Sequence, residues 1–276
     1  MELQLKQGKS MTEKIHLSQP DSLDDFDCQV LSFLGKQKPV YIAGEGPAVI
    51  IMSEMPGIYD RVADFARQVR DSGFTVLMPS LFGEPGRSPT PGYTVRSLVR
   101  ACISREFRVL SSNQSSPIVD WLRALARYGY ERCGEKGVGA IGMCFTGNFA
   151  INLMLEPCVL APVLSQPSLP LGRAAGLHIS EEELAQVKAR LNEDNLTVRA
   201  YRFSGDPLCR AARFSAYQQA LGDRFCGKVL ADEAARQDTG MAPHSVVTLH
   251  LIDEEGEPTR QALDEIIEFF CHRLKP

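Results

Sequence analysis

Cys144 lies in Gly142-Met-Cys-Phe-Thr-Gly147, where an apolar run at 137–143 meets a stretch with helical spacing at 145–155. This pattern is close to G-x-S-x-G, the sharp strand-to-helix turn that presents a nucleophile, with cysteine in place of serine. The residues two places either side of such a nucleophile must be small to avoid clash. Gly142 satisfies this, Thr146 departs from it, and Gly147 relieves crowding next door. The turn would place the thiol at a helix N-terminus, where free N–H groups and the dipole favour a thiolate. The Phe145 N–H would then supply half of an oxyanion hole. The plain alternative is a buried cysteine at a strand–helix junction, because short Gly/Cys patterns arise by chance.

A thiol nucleophile of this kind needs a base, and the base needs an orienting acid, in the chain order nucleophile, acid, histidine. Ser204-Gly-Asp-Pro207 follows a strand-like segment, so Asp206 is the candidate acid; otherwise it is an ordinary turn aspartate. The chain has five histidines. His16 precedes the readable core, His178 lies in an insert, and His272 sits in the terminal helix. His244 follows the last short strand through a polar loop and opens an apolar segment read as helical, which makes it the candidate base. His250, in apolar surroundings, is the fallback.

These residues need a scaffold. Ala48–Ser53, Thr75–Pro79, 137–143 and 159–164 are unbroken apolar runs, as expected of strands buried on both faces. Leu196–Phe203 and 227–230 add two more. Residues 60–71, 94–111, 115–130, 179–194, 211–221 and 259–274 have helical periodicity. In 94–111, Leu98, Cys102 and Phe107 are expected to point inward. The 179–194 helix opens on a Ser180-x-x-Glu183 capping pattern. Residues 22–35 fit strand or helix, and 38–45 a short strand. Alternating strands and helices imply an α/β fold with a mostly parallel sheet covered on both faces. Cys144, Asp206 and His244 each follow a strand, so all three would meet along one sheet edge.

The chain has 276 residues, 44% of them hydrophobic, and a net charge of -4. It is read as one domain over 1–276, with residues 1–37 an N-terminal extension and 167–194 a candidate cap. The acidity gives no attraction to nucleic acid. No apolar run reaches the about 18 residues a membrane helix needs, and the N-terminus lacks the apolar core of an export signal. The eight cysteines show no CxxC or metal-ligand spacing, so a metal and a cofactor are not expected, and reduced thiols in the cytoplasm are.

In its motifs the sequence resembles the dienelactone hydrolase family over about residues 45–275. That family has Cys–Asp–His triads on an α/β-hydrolase fold and an elbow of the form G-x-C-x-G-G, which Gly142, Cys144 and Gly147 match and Thr146 does not. Gly205–Asp206 matches its acid turn. His244–Ser245 matches its G-H-S segment, with Pro243 for the glycine. Ser53-Glu-Met-Pro-Gly-Ile58 looks like its Q-E-x-x-G segment, and Pro79-Ser-Leu-Phe82 like its P-D-L-Y. The resemblance implies that Glu54 contacts and helps activate the thiol, and that the Met55 N–H is the second oxyanion donor; the alternative for Glu54 is a solvated loop carboxylate. It implies hydrolysis of a small-molecule ester or lactone through a thioester acyl-enzyme, by a monomer or homodimer. Family members that cleave dienelactones carry an arginine four residues after the histidine, where this chain has Thr248. That change points toward a neutral ester or lactone. The competing readings are a non-catalytic ligand-binding member of the fold and a thiol redox sensor.

Overall fold

A computed structural model describes residues 19–108, 110–134 and 136–276. The apolar runs form a single eight-stranded sheet in the order β1-β2-β4-β3-β5-β6-β7-β8. The strands are β1 (Asp27–Phe33), β2 (Lys36–Ala43), β3 (Ala48–Met52), β4 (Thr75–Pro79), β5 (Val138–Met143), β6 (Val159–Ser165), β7 (Val198–Phe203) and β8 (Phe225–Leu230). Pairing is parallel from β4 through β8; β1 and β2 join antiparallel at one edge. The expected fold class, α/β with a mostly parallel sheet covered on both faces, is the one observed.

Every residue of β3, β4 and β5 is buried, because successive side chains leave opposite faces and both faces are covered. Ile50 and Met52 join one core with Trp121 and Leu125 of α3 (Ile118–Cys133), Val187 and Leu191 of α5 (Glu181–Glu193), and Tyr217 of α6 (Ala211–Leu221). Val49 and Ile51 join the other, with Phe65 of α1 (Asp60–Asp71) and Ile266 and Phe270 of α7 (Pro258–Leu274).

Several elements differ from the sequence expectation. The ambiguous 22–35 stretch contributes strand β1, paired to β2 through a turn at Leu34–Gly35; residues 1–18 lie outside the described chain. The helix expected over 94–111 is α2 (Pro91–Ile103). It starts earlier because Thr90 caps it, its hydroxyl accepting from the Tyr93 N–H, and Pro91 suits a first turn. It ends at Ser104, whose backbone is extended, and Cys102 faces solvent. Residues 145–155 are a 3-10 turn, then the four-residue α4 (Phe149–Asn152), then a second 3-10 turn. Residues 246–250 form turns and no helix. Of 167–194, the first part runs beside the end of β6, and α5 is the crossover from β6 to β7, with Ser180 accepting from the Glu183 N–H as its cap.

The chain runs from β3 out to β4 and returns past β3 to β5. The crevice outside the carboxyl ends of β3 and β5 is therefore the switch point where ligands of open α/β sheets sit.

Candidate active site

Cys144 directly follows β5 with φ 52°, a left-handed conformation that costs a non-glycine residue about 1 kcal/mol or more. Its surroundings leave no other path. A Cβ on Gly142 would lie 2.1 Å from the Thr146 carbonyl oxygen, and one on Gly147 would lie 2.5 Å from the Pro167 Cα. Thr146, the departure from the motif, is buried and closes the turn with its hydroxyl. Oγ1 accepts from the Met143 N–H at 2.9 Å and donates to the Met52 carbonyl at 2.8 Å, tying the end of β5 to the end of β3. The Cys144 side chain is partly exposed.

Asp206 and His244 meet at this edge. His244 Nδ1 lies 2.7 Å from Asp206 Oδ2, and both residues are at most 5% exposed. The other Asp206 oxygen accepts from the Leu208 and Cys209 N–H groups at 2.8 and 3.0 Å. Burial alone would raise the Asp206 pKa; the His244 hydrogen bond and charge and these two N–H groups instead hold it below its ordinary value. His244 Nε2 is buried with no hydrogen-bond partner among the described residues. Burial would lower the His244 pKa, but the neighbouring Cys144 charge and Asp206 raise it well above the ordinary value. No closed hydrogen bond joins the thiol to the ring among the described residues, which is common before substrate binds.

Glu54 follows β3 and is 2% exposed. Its carboxylate accepts from Tyr59, Thr248, Ser245 and Gln166, the last two at 2.7 and 3.1 Å. No hydrogen bond joins it to Cys144 among the described residues; it grips the loop that carries His244. Thr248 is one of those donors. Met55 and Phe145 head the segments after β3 and β5. Among the described residues neither N–H is taken up by a turn, loop or side-chain hydrogen bond. His250 is fully buried. Its Nδ1 accepts from the Ser245 N–H at 3.1 Å and its Nε2 lies 3.1 Å from Thr239 Oγ1, so it braces the His244 loop from behind.

Several anchors were not singled out from sequence. Arg202, at the end of β7, is 4% exposed, and its Nη1 donates to the carbonyls of Phe203, Ser204 and Cys209 around the acid turn. Gln166, after β6, links Glu54 to the Val246 N–H. Phe82 and Phe107 pack edge-on against Phe145, with centroids 5.1 and 5.7 Å away, as an apolar wall beside the elbow. The signal for Arg202 was available: a charge between Tyr201 and Phe203 in a strand buried on both faces must find partners.

The described residues hold no cluster of three or more His, Cys, Asp or Glu that could take a metal, and no helix long and apolar enough to cross a membrane.

Comparison with known proteins places the fold. Residues 33–169 match the profile of the dienelactone hydrolase family. No curated protein matches the sequence. Among solved structures, a dienelactone hydrolase described as putative, from Klebsiella pneumoniae subsp. pneumoniae MGH 78578, superposes with TM-score 0.62 at 16% identity, covering 89% of this chain and 98% of its own. A dienelactone hydrolase-like promiscuous phosphotriesterase from metagenomic libraries gives 0.59 at 13%, covering 91% and 99%. A cold-adapted esterase from an Arctic intertidal metagenomic library gives 0.52 at 12%, covering 90% and 93%. At these identities the likeness shows the shared α/β-hydrolase fold. The motifs in order, the fold and the family match together make the chain a member of the dienelactone hydrolase family, a hydrolase acting on ester bonds.

Proposed function

We propose that this protein cleaves a small carboxylic ester or lactone through a thioester on Cys144. The observation that carries the reading is the buried His244–Asp206 pair, 2.7 Å apart, whose remaining nitrogen is left free beside Cys144. His244 takes the thiol proton as the sulfur attacks the carbonyl carbon. The tetrahedral oxyanion is met by the N–H groups of Met55 and Phe145. Collapse breaks the C–O bond, and His244 returns the proton to the leaving alkoxide. Water, deprotonated by His244, then attacks the thioester; the acid leaves and the sulfur recovers a proton. Asp206 holds the imidazole in the tautomer that aims Nε2 at the sulfur and stabilises its cation. Glu54 fixes the His244 loop through Ser245 and Thr248.

In this reading the protein works on a small molecule in the cytoplasm, as a monomer or homodimer, without nucleic acid or a membrane. The test is turnover of 4-nitrophenyl acetate beside iodoacetamide labelling. Wild type should hydrolyse the ester and be inactivated by one alkylation at Cys144. Cys144→Ala and His244→Ala should lose turnover by about a thousandfold or more. Turnover retained in either variant, or a stoichiometric sulfenate at Cys144 without any ester hydrolysis, would sink the proposal in favour of another nucleophile or a redox sensor.

A further inference from the structure

On the Asp206 side of the triad, the 168–174 segment and the loop entering α6 enclose a cleft of about 130 Å³. Its walls include Arg173, Arg210, Arg213, Ser168, Pro207 and Leu208, and no carboxylate among the described residues lines it. Those walls are bonded to the catalytic groups: the Ser168 N–H donates to the Cys144 carbonyl at 2.9 Å, and the Leu208 N–H donates to Asp206 at 2.8 Å.

Arg213 is 1% exposed and has no ion pair among the described residues. Its Nη1 donates to the Pro167 carbonyl at 2.9 Å, and its Nη2 to those of Pro170 and Arg173 at 3.0 and 2.7 Å. Its Nε is buried without a hydrogen-bond partner. The Asp206 charge acts on Arg213 without a direct ion pair, and that carboxylate is already bonded to His244 and two N–H groups; burying a cation so incompletely paired is costly. Arg173 and Arg210 stand exposed at the mouth, and neither pairs with an acid among the described residues. Arg210 Nε donates to the Pro207 carbonyl at 3.2 Å. The 11-residue α6 begins here with no side-chain cap among the described residues and no acid in its first turn, so the positive end of its dipole lies at the same place. A protein of net charge -4 has gathered three arginines and a helix N-terminus around one cleft on the Asp206 side of the site.

We propose that this cleft receives an oxyanion, a carboxylate or a phosphate, carried by the substrate, so that the preferred esters are anionic. The proposal rests on the hydrolase reading above. It also revises the expectation of a neutral substrate drawn from Thr248. The charge missing at that position, which is bonded to Glu54, is supplied from the opposite loops. The guanidinium forks of Arg173 and Arg210 suit either oxyanion.

Two 4-nitrophenyl esters of equal acyl length, the anionic hemiglutarate and the neutral pentanoate, share a leaving group and test this. Wild type should favour the hemiglutarate in kcat/KM by about tenfold or more. The Arg173→Gln/Arg210→Gln variant should bring the ratio to about one. Both side chains are exposed, so the variant should fold, and its melting temperature checks that. Calorimetry with glutarate and with inorganic phosphate, against a chloride blank, tells which oxyanion binds more tightly and hence which source the cleft serves. Hydrolysis of both esters with a ratio of one or less in wild type, and no heat from either anion, would overturn the cleft and leave the hydrolase intact. Anion binding that the double variant loses, without hydrolysis of either ester, would keep the cleft and overturn the hydrolase.

Discussion

Replacing Thr146 by valine keeps the shape of the side chain and removes its hydroxyl. That hydroxyl is the partner of the Met143 N–H at 2.9 Å and of the Met52 carbonyl at 2.8 Å, in a position with no solvent access. Valine leaves one buried donor and one buried acceptor unpaired. Each orphan costs about 1–3 kcal/mol, so the variant should lose about 2–4 kcal/mol once the loop relaxes. Thr146→Ser keeps the hydroxyl and loses only a methyl, worth about 1 kcal/mol. Thr146→Gly, which restores the family's residue, lacks the hydroxyl too and should fall at least as far as valine. Urea unfolding followed by far-UV circular dichroism, with the slope m held constant, measures the difference. The same bonds fix the ends of β3 and β5, which carry Met55 and Phe145, and a shift of about 1 Å there can cost a hundredfold in rate. Valine should therefore lose 4-nitrophenyl acetate turnover as well, and serine should keep most of it. A valine variant as stable and as active as wild type would refute the reasoning. Thr146 would then be a filler in the elbow and the hydroxyl incidental.

Asp206→Asn should preserve the fold and lower kcat by about a thousandfold to ten-thousandfold, because the imidazole loses its tautomer and its counter-charge; a loss under tenfold would remove Asp206 from the triad. In the same variant His244 loses one of the groups that raise its pKa, so the limb of kcat/KM on which His244 titrates should move to lower pH. His178 gives a stability prediction. Burial, with the charges of Arg213 and Arg108, lowers its pKa to about 4. A folded pKa below the unfolded 6.5 means the unfolded chain binds the proton first. The contribution is present above pH 6.5 and is lost as pH falls toward 4, about 3 kcal/mol at 1.4 kcal/mol per pKa unit. His178→Gln should flatten urea stability across that window, and an unchanged slope would show that other groups govern it.

How much of this was legible in the sequence depends on what each residue answers to. β3, β4 and β5 stood out because strands covered on both faces must be apolar throughout, and a run as short as Ala48–Met52 cannot make a buried helix. Cys144, Asp206 and His244 were found because order along the chain translates into position along the sheet edge, and because histidine is scarce. Helix ends were less legible. Thr90 and Pro91 looked like part of a Gly/Pro-rich loop, whereas they start α2. The stretch after His244 has helical spacing, yet Ser245, Val246 and Thr248 are committed to Gln166, Glu54 and His250, and those long-range bonds override local periodicity. No local pattern announces which loop a buried glutamate or arginine will bind.

That last class of residue explains how the site is held. At the carboxyl ends of β3, β5, β6, β7 and β8 the ladder stops, but the chain stays buried, so its carbonyl and N–H groups need partners the sheet no longer supplies. Side chains supply them: Thr146 at the elbow, Gln166 beyond β6, Arg202 around the acid turn, Arg213 under 167–173, and His250 behind the His244 loop, a loop that Glu54 also holds through the Ser245 and Thr248 hydroxyls. Arginine suits the two carbonyl-lined turns, because one planar fork reaches several oxygens where an ammonium is a single point. The same choice leaves buried positive charge without a direct ion pair among the described residues. Loops that carry catalytic residues vary in a family built on one sheet, so their fasteners vary with them. Thr146, Thr248 and Arg213 are therefore the residues at which this chain's substrate preference should part from the family pattern.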